Sequence, residues 1–493
     1  MKKYFYKTGL ALCTLVFLCG CFDLEHEEFG KISSGNFPVT QADLQTAAIG
    51  VYNMLGDSYI RHNLDYAGIT LNTLCTDEMN TGWGSSWQII NRLSWAANNN
   101  PATECYTRYN RAITKATRII DAFSRSDVDE NAKARYIAEL RVLRALYAYA
   151  LYSLFGPLPV VTDPNVANDV YTEYRPAKPG SGEYVNFLIA ELRESWPVLD
   201  NKSSSENWGR TDKGTALALL TKVYLDAKMW DEASQTADEI IRLGIYDLLP
   251  SYQDVFDIKN EGPDNREVIF VIPKIISNTN YAWTYFACVM PSIPRYKTKG
   301  PAMNVWGGLK MPWEYYDKYE PQDERLNTII RYYTDTDDNE VDFRQVVDSK
   351  ATGAIPMKFS EDPDQRGENQ SNDFIFFRYA DILLAKAEAL NELQGPTGES
   401  IELINKIRRR VKASEINLAD YDRDSLRDFI LDERGRELYN EGWRRNDLIR
   451  HGKFILKAIE RGIDAQPYHI LYPIPQAAIN ENPNLRQNDG YEQ

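Results

Sequence analysis

"KGTALALLTKVYLDAKMWDEASQTADEIIRLGIYDLL", residues 213–249, is the stretch that decides the fold. Its apolar residues recur at helical spacing, and the pattern breaks once, near Met229-Trp230, so it reads as two helices joined by a short turn. Ala233 and Ala237 are small enough to let the second helix lie close against the first, Tyr224 fills the gap between them, and Ile240 extends the same face. A hairpin of this kind has an apolar face that it cannot bury alone, so it must stack on neighbours.

Working outward, residues 374–411, "FIFFRYADILLAKAEALNELQGPTGESIELINKIRRRV", read as a second helical pair broken at Gly395-Pro396. In "AELRVLRALYAYALYSLFGPLPVV", 138–161, Leu140, Leu143, Tyr147, Leu151 and Leu154 fall on one helical face. Gly156-Pro157 stops that helix, and Pro159-Val160-Val161 leaves it extended. Helical periodicity covers about 40–60, 105–156, 180–245 and 372–455. The expected fold is mainly α, a tetratricopeptide-like superhelix of helical hairpins in one domain over 37–493. Two stretches differ. Residues 61–104 and 246–371 are weakly periodic and rich in aromatic and turn residues, with short β-like runs such as Glu267–Ile272. Long irregular segments in a compact protein are functional or disordered, and aromatic richness argues against disorder, so a ligand is expected there.

The N-terminus carries Lys2, Lys3 and Lys7, then an apolar run from Leu10 to Leu18 too short to span a bilayer. That is the pattern of an export signal over 1–20. Leu18-Cys19-Gly20-Cys21 resembles a lipobox, which makes Cys21 the expected lipidation site, with Cys19 a departure from the usual small residue. Several acyl chains on one thiol would anchor a chain stably, at about 0.8 kcal/mol per buried CH₂. Asp23, Glu25, Glu27 and Glu28 make residues 21–36 an acidic tether, similar to the tag that sends some lipoproteins to the cell surface.

Of 493 residues, the net charge is −15, with pI near 5.0. That balance repels nucleic acid and anionic membrane, leaving the lipid as the expected membrane contact. His26, His62, His451 and His469 are scattered without ligand spacing, so no metal site and no cofactor is expected. Beyond the signal and Cys21, Cys75, Cys105 and Cys288 are an odd trio and no disulfide framework; a Cys75–Cys105 bridge is possible but not indicated.

Several blocks together resemble the RagB/SusD family of surface glycan-binding lipoproteins. They are the lipobox, 138–161, "GRTDKGTALALLTKVYL" at 209–225, "FRYADILLAKAEALNE" at 377–392 and "INKIRRRV" at 404–411. "ERGRELYNEGWRRNDLIRHGK" at 433–453 and "LYPIPQAAINENPNLRQNDGY" at 471–491 complete the set, in family order. The resemblance implies a non-catalytic outer-membrane lipoprotein that sits as a lid on a SusC-like TonB-dependent transporter, captures a glycan and delivers it into the barrel. It also implies that the pocket is built from the two irregular regions.

Sugar rings offer C–H faces, so a binder supplies aromatic platforms with amides and carboxylates for the hydroxyls. "CTDEMNTGWGSSWQIINRLSW", 75–95, offers Asp77, Glu78, Asn80, Trp83, Trp87 and Trp95. Residues 278–319 offer Tyr281, Trp283, Arg295, Tyr296, Asn304 and Trp306, whereas Trp313 reads as core. Glu433, Glu437 and Glu441 recur at i, i+4 on one helical face. They could suggest a glycosidase pair, which requires two carboxyls roughly 5–9.5 Å apart across a cleft. Amid Arg434, Arg436, Arg444 and Arg445, with Arg378 or Arg408 to Arg410 able to reach across, they read instead as a structural ion network. The tail reads as a clamp on the helical body, with an extended entry at Pro473 and Pro475 and a turn at Asn488-Asp489-Gly490. Three alternatives remain: capture of oligopeptides by the same architecture, a lipid-anchored glycosidase, and a tetratricopeptide adaptor.

Overall fold

In the computed structural model of the chain, which describes residues 37–56, 70–169, 171, 173–276, 282–346 and 352–491, the stretch 213–249 forms the hairpin its spacing implies. The expected signal, Cys21 and the acidic tether lie outside the described residues. The principal elements in chain order are α1 (Gln41–Tyr52), β1 (Asn80–Thr81), α2 (Ser85–Asn91), α3 (Thr103–Arg125), α4 (Glu130–Phe155) and α5 (Ser181–Ser195). α6 (Lys213–Asp226), α7 (Trp230–Arg242), β2 (Val268–Ile272), β3 (Leu309–Lys310), α8 (Trp313–Tyr316), β4 (Tyr332–Thr334) and β5 (Glu340–Asp342) follow. β6 (Phe374–Arg378), α9 (Tyr379–Gln394), α10 (Gly398–Arg410), α11 (Arg423–Leu438), α12 (Arg444–Arg450), α13 (Phe454–Glu460) and α14 (Gln476–Glu481) complete the list.

Local chemistry explains the α6/α7 hairpin. Asp212 caps α6 by accepting from Thr215 N at 2.8 Å, and Lys228 makes the turn with a left-handed φ of 57°. Tyr224, Ala233, Ala237 and Ile240 are all buried between the helices. Layering then proceeds by contact: α3 on α4, α4 on α5, α5 on α6, α6 on α7, α7 on α9, and α9 on both α10 and α11. The protein is mainly helical, a stack of hairpins with three two-stranded sheets among the described residues. Among the described residues, no helix is long and apolar enough to cross a membrane.

One helical expectation is corrected. Phe374–Arg378 is not helix but strand β6, paired antiparallel with β2 through Phe377↔Phe270 and Ile375↔Val271. All five of its residues are buried, and a short run that is apolar on every face has no period to separate strand from helix. The expected helix from 40 to 60 likewise ends at Tyr52.

Beneath the sheets lies the arginine–carboxylate network. Arg378 donates to Glu267 at 2.9 Å, to Glu437 at 2.6 Å and to Glu441 at 2.8 Å, while Arg325 and Arg408 reach Glu433 at 2.8 and 2.6 Å. Arg410 pairs with Glu437, Arg436 with Glu433, and Lys358 with Glu441. Burial alone would raise the Glu437 carboxyl, but the guanidiniums of Arg410, Arg378 and Arg325 override it and hold it at about 2. Arg325 and Lys358 come from the irregular region, so the sequence did not mark them as partners. Arg434 turns to Asp381 and Asp447, and Arg445 donates to backbone carbonyls. The tail clamps as expected: Tyr472 N donates to Leu154 O at 2.8 Å, and Asn488 Nδ2 to Phe155 O at 2.9 Å.

Candidate functional site

Two segments more than two hundred residues apart meet at β1 and β3, which pair antiparallel as Asn80↔Lys310 and Thr81↔Leu309. Gly82 N extends the ladder to Gly308 O at 3.1 Å. Lys310 is buried beneath this seam, and its ammonium donates to the carbonyls of Val289 and Gly307 at 2.9 and 3.0 Å. The seam thus brings together the two irregular regions in which the ligand was sought.

Three of the candidate tryptophans gather on it. The Trp83 and Trp87 ring centroids lie 4.5 Å apart and those of Trp83 and Trp306 lie 6.4 Å apart, both edge-to-face. Trp83 lies against Gly308, where an added Cβ would overlap its indole. Gln88 Nε2 ties the loop by donating to Thr81 O at 2.8 Å and Trp83 O at 3.2 Å. Trp306 is fixed through its backbone N–H, which donates to Ala287 O at 2.7 Å. All three residues are half-buried and packed against the core.

The other candidates divide. Asn304 is exposed and donates to Glu368 at 3.2 Å; Arg295 is exposed and donates to Met303 O. Asn80 is half-buried; its Nδ2 donates to Thr352 O at 2.7 Å, and its Oδ1 has no hydrogen-bond partner among the described residues. Tyr281 lies outside the described residues. Five candidates serve the fold instead. Trp95 is only 3% exposed, lies 4.2 Å from the Tyr472 ring and donates to Tyr491 Oη at 2.7 Å, so it anchors the tail. Trp283, 2% exposed, stacks on Tyr285 at 4.9 Å with Phe359 edge-on at 4.7 Å. Tyr296 is buried, and its hydroxyl donates to Glu361 at 2.9 Å in a separate cavity of about 350 Å³. Asp77 is held bidentately by Arg444 at 2.8 Å and by Lys318 at 3.2 Å, which overcome burial and keep its carboxyl well below the usual range. Glu78 is buried, which with the Asp77 charge pushes its carboxyl up to about 8. Conversely, Trp313, expected in the core, is half-buried under the Arg344 guanidinium at 5.0 Å.

Beside the seam lies a polar cleft of about 1010 Å³. Asn80, Thr81 and Gln88 form one wall, Tyr315 and Lys318 a second, and the turn after α13, with Arg461 and Asp464, the third. The third wall was missed in the sequence, because a charged helix end carries no signal of facing a loop four hundred residues away. Glu433, Glu437 and Glu441 are buried and salt-bridged within the network, so they present no carboxyl pair to a glycosidic bond. Cys75, Cys105 and Cys288 are buried free thiols.

The SusD family profile matches residues 332–462. SusD-like protein P25 of Formosa agariphila is 25% identical, over 96% of this chain and 97% of that protein. The starch-binding protein SusD of Bacteroides thetaiotaomicron is 25% identical, over 85% and 84%. Among solved structures, surface glycan-binding protein A from Bacteroides thetaiotaomicron, in complex with laminarihexaose, superposes with a TM-score of 0.75 at 20% identity, covering 91% of this chain and all of that one. A SusD homolog from the same species gives 0.77 at 20% identity, covering 93% and 98%. At that identity the superpositions establish the fold.

Proposed function

Because this chain belongs to the SusD family, we propose that it is a non-catalytic, surface-tethered glycan binder that passes its ligand to a SusC-like TonB-dependent transporter in the outer membrane. The observation that carries the reading is the cluster of Trp83, Trp87 and Trp306, mounted on the β1–β3 seam beside a polar cleft. Half-buried indoles fixed by packing on one face provide flat apolar area for sugar C–H faces at little entropic cost. Asn304, two residues before Trp306 and exposed, and Asn80 in the cleft would supply amides for hydroxyls. The similarity to relatives named for starch and laminarin supports carbohydrate as the ligand. Glu433, Glu437 and Glu441, the carboxylates whose spacing could have suggested a glycosidase pair, are locked into arginine and lysine pairs, which removes that support for cleavage. Lipidation at Cys21 would confine the binder to the membrane plane, where its effective concentration near a transporter is high.

Isothermal titration of the mature chain against a panel of plant, host and microbial polysaccharides tests this. At least one binds, and Trp83→Ala with Trp306→Ala abolishes the heat while the circular dichroism stays native. Silence across the panel, or binding indifferent to both substitutions, refutes it.

A further inference from the structure

Resting on that reading, we infer that the ligand of this site is an uncharged glycan rather than an acidic one, selected by a cleft whose cations are each already held by an acceptor and whose spare hydrogen-bonding capacity calls for a donor. An acidic polysaccharide would need free cations. Lys318 is spent on Asp77 at 3.2 Å, and Arg444 behind it is spent bidentately on the same carboxylate. Lys457 pairs with Glu460 at 2.8 Å. Arg461 donates to the backbone carbonyls of Cys75 and Asn91 at 3.0 and 2.8 Å, which fixes its guanidinium to the loop. Arg92 donates to Gln88 Oε1 at 3.1 Å. Against these four lining cations stand four lining carboxylates, those of Asp77, Glu460, Glu314 and Asp464, so the cleft carries no net charge. The chain around it carries −15. A uronate or sulfated chain would approach a repelling surface and find no cation free of an acceptor, so its desolvation would go uncompensated.

The second observation is independent of charge. Asn80 lines the cleft, and its amide orientation is fixed by Nδ2 donating to Thr352 O, so the atom left over is Oδ1, an acceptor without a partner among the described residues. A buried acceptor is satisfied by a hydroxyl donor; a carboxylate or sulfate brings only further acceptors. Sugar hydroxyls therefore match it, and ionised substituents do not.

The test is titration of the full mature chain with laminarin, xyloglucan and galactomannan against polygalacturonate, alginate and dextran sulfate. Each is measured at salt concentrations of about 20 mM and about 500 mM, which bracket a Debye length of roughly 10 Å. The expected result is binding by an uncharged polymer that changes less than about twofold with salt, with every charged polymer at least about tenfold weaker. A charged polymer that binds more tightly than any neutral one, or whose binding weakens steeply with salt, overturns the inference while leaving glycan capture intact. Silence from all six overturns both. A gain-of-function arm uses exposed Glu460: Glu460→Lys frees Lys457 and adds a cation, and polygalacturonate should then bind at low salt. Failure of that gain, in a variant that keeps its neutral ligand, also overturns the inference.

Discussion

Gly308→Ala isolates the role of the platform, because it removes no aromatic surface and leaves every hydrogen-bonding side chain in place. A Cβ built on Gly308 falls under 3.0 Å from Cε2, Nε1 and Cδ2 of Trp83, a separation that real Cβ atoms essentially never show. The built Cβ lies 1.8 Å from Cε2 and Nε1, so relief to ordinary carbon contact at about 3.5–4.0 Å requires a relative shift of about 1.5–2 Å. It cannot retreat freely, since Trp87 and Trp306 lie edge-on at 4.5 and 6.4 Å. A gap of that size forfeits more than about half of each contact well it opens. Overpacking of this kind costs about 1–3 kcal/mol. With an unfolding entropy near 2.1 cal/mol/K per residue, a chain of this length loses about 1–3 °C of Tm, so the variant stays folded at assay temperature. Loss of ring-to-sugar stacking, at about 0.5–1.5 kcal/mol, weakens glycan binding roughly two- to twelvefold. Titration calorimetry reads the affinity, and near-ultraviolet circular dichroism reports the displaced indole. A variant that shows the displaced-indole signal yet binds at full affinity refutes Trp83 as the platform. An unchanged near-ultraviolet spectrum refutes the packing argument.

The remaining predictions concern stability. Glu78 has a folded-state pKa raised by burial to about 8, so the native state holds its proton more tightly than the unfolded chain between its ordinary value and about pH 8. Across that window stability falls as pH rises; Glu78→Gln should therefore raise Tm more at pH 8 than at pH 5, and a pH-independent difference in a thermal-shift series would reject this. Arg378→Met strips the common partner from Glu267, Glu437 and Glu441 and should cost at least about 3–5 kcal/mol by denaturant titration; a loss below about 1 kcal/mol would mean that the network is not coupled. Ala237→Leu inserts bulk where α7 has no exposed surface, at an expected cost of about 1–3 kcal/mol with glycan affinity unchanged, since the hairpin contributes no side chain to the cleft.

The helical body was legible because its information is local. The alanines and tyrosine of 213–249 and the Gly395 stop each act within a few residues, so spacing alone places them. Where locality failed, so did the reading: Phe374–Arg378 owes its strand to β2, a hundred residues earlier. The ion network was legible in kind, because three carboxylates at i, i+4 amid arginines demand neutralisation, yet Arg325 and Lys358 entered from a region with no period.

The site shows the same limit more sharply. Composition located both irregular regions, and the glycines that flank Trp83 set it apart from Trp95, but neither signal names what each indole packs against. What separates them is a distant partner: Gly308 gives Trp83 a flat backbone to lie on at the surface, and Tyr472 and Tyr491 draw Trp95 under the tail. The same reasoning explains why Asp77, so plausible as a hydroxyl acceptor, is unavailable. Arg444 at the start of α12 claims both of its oxygens, and that fork pins the 75–95 loop to the helical stack. Asp77 itself lines the cleft, and its fork holds the wall from which Asn80 and Gln88 face it.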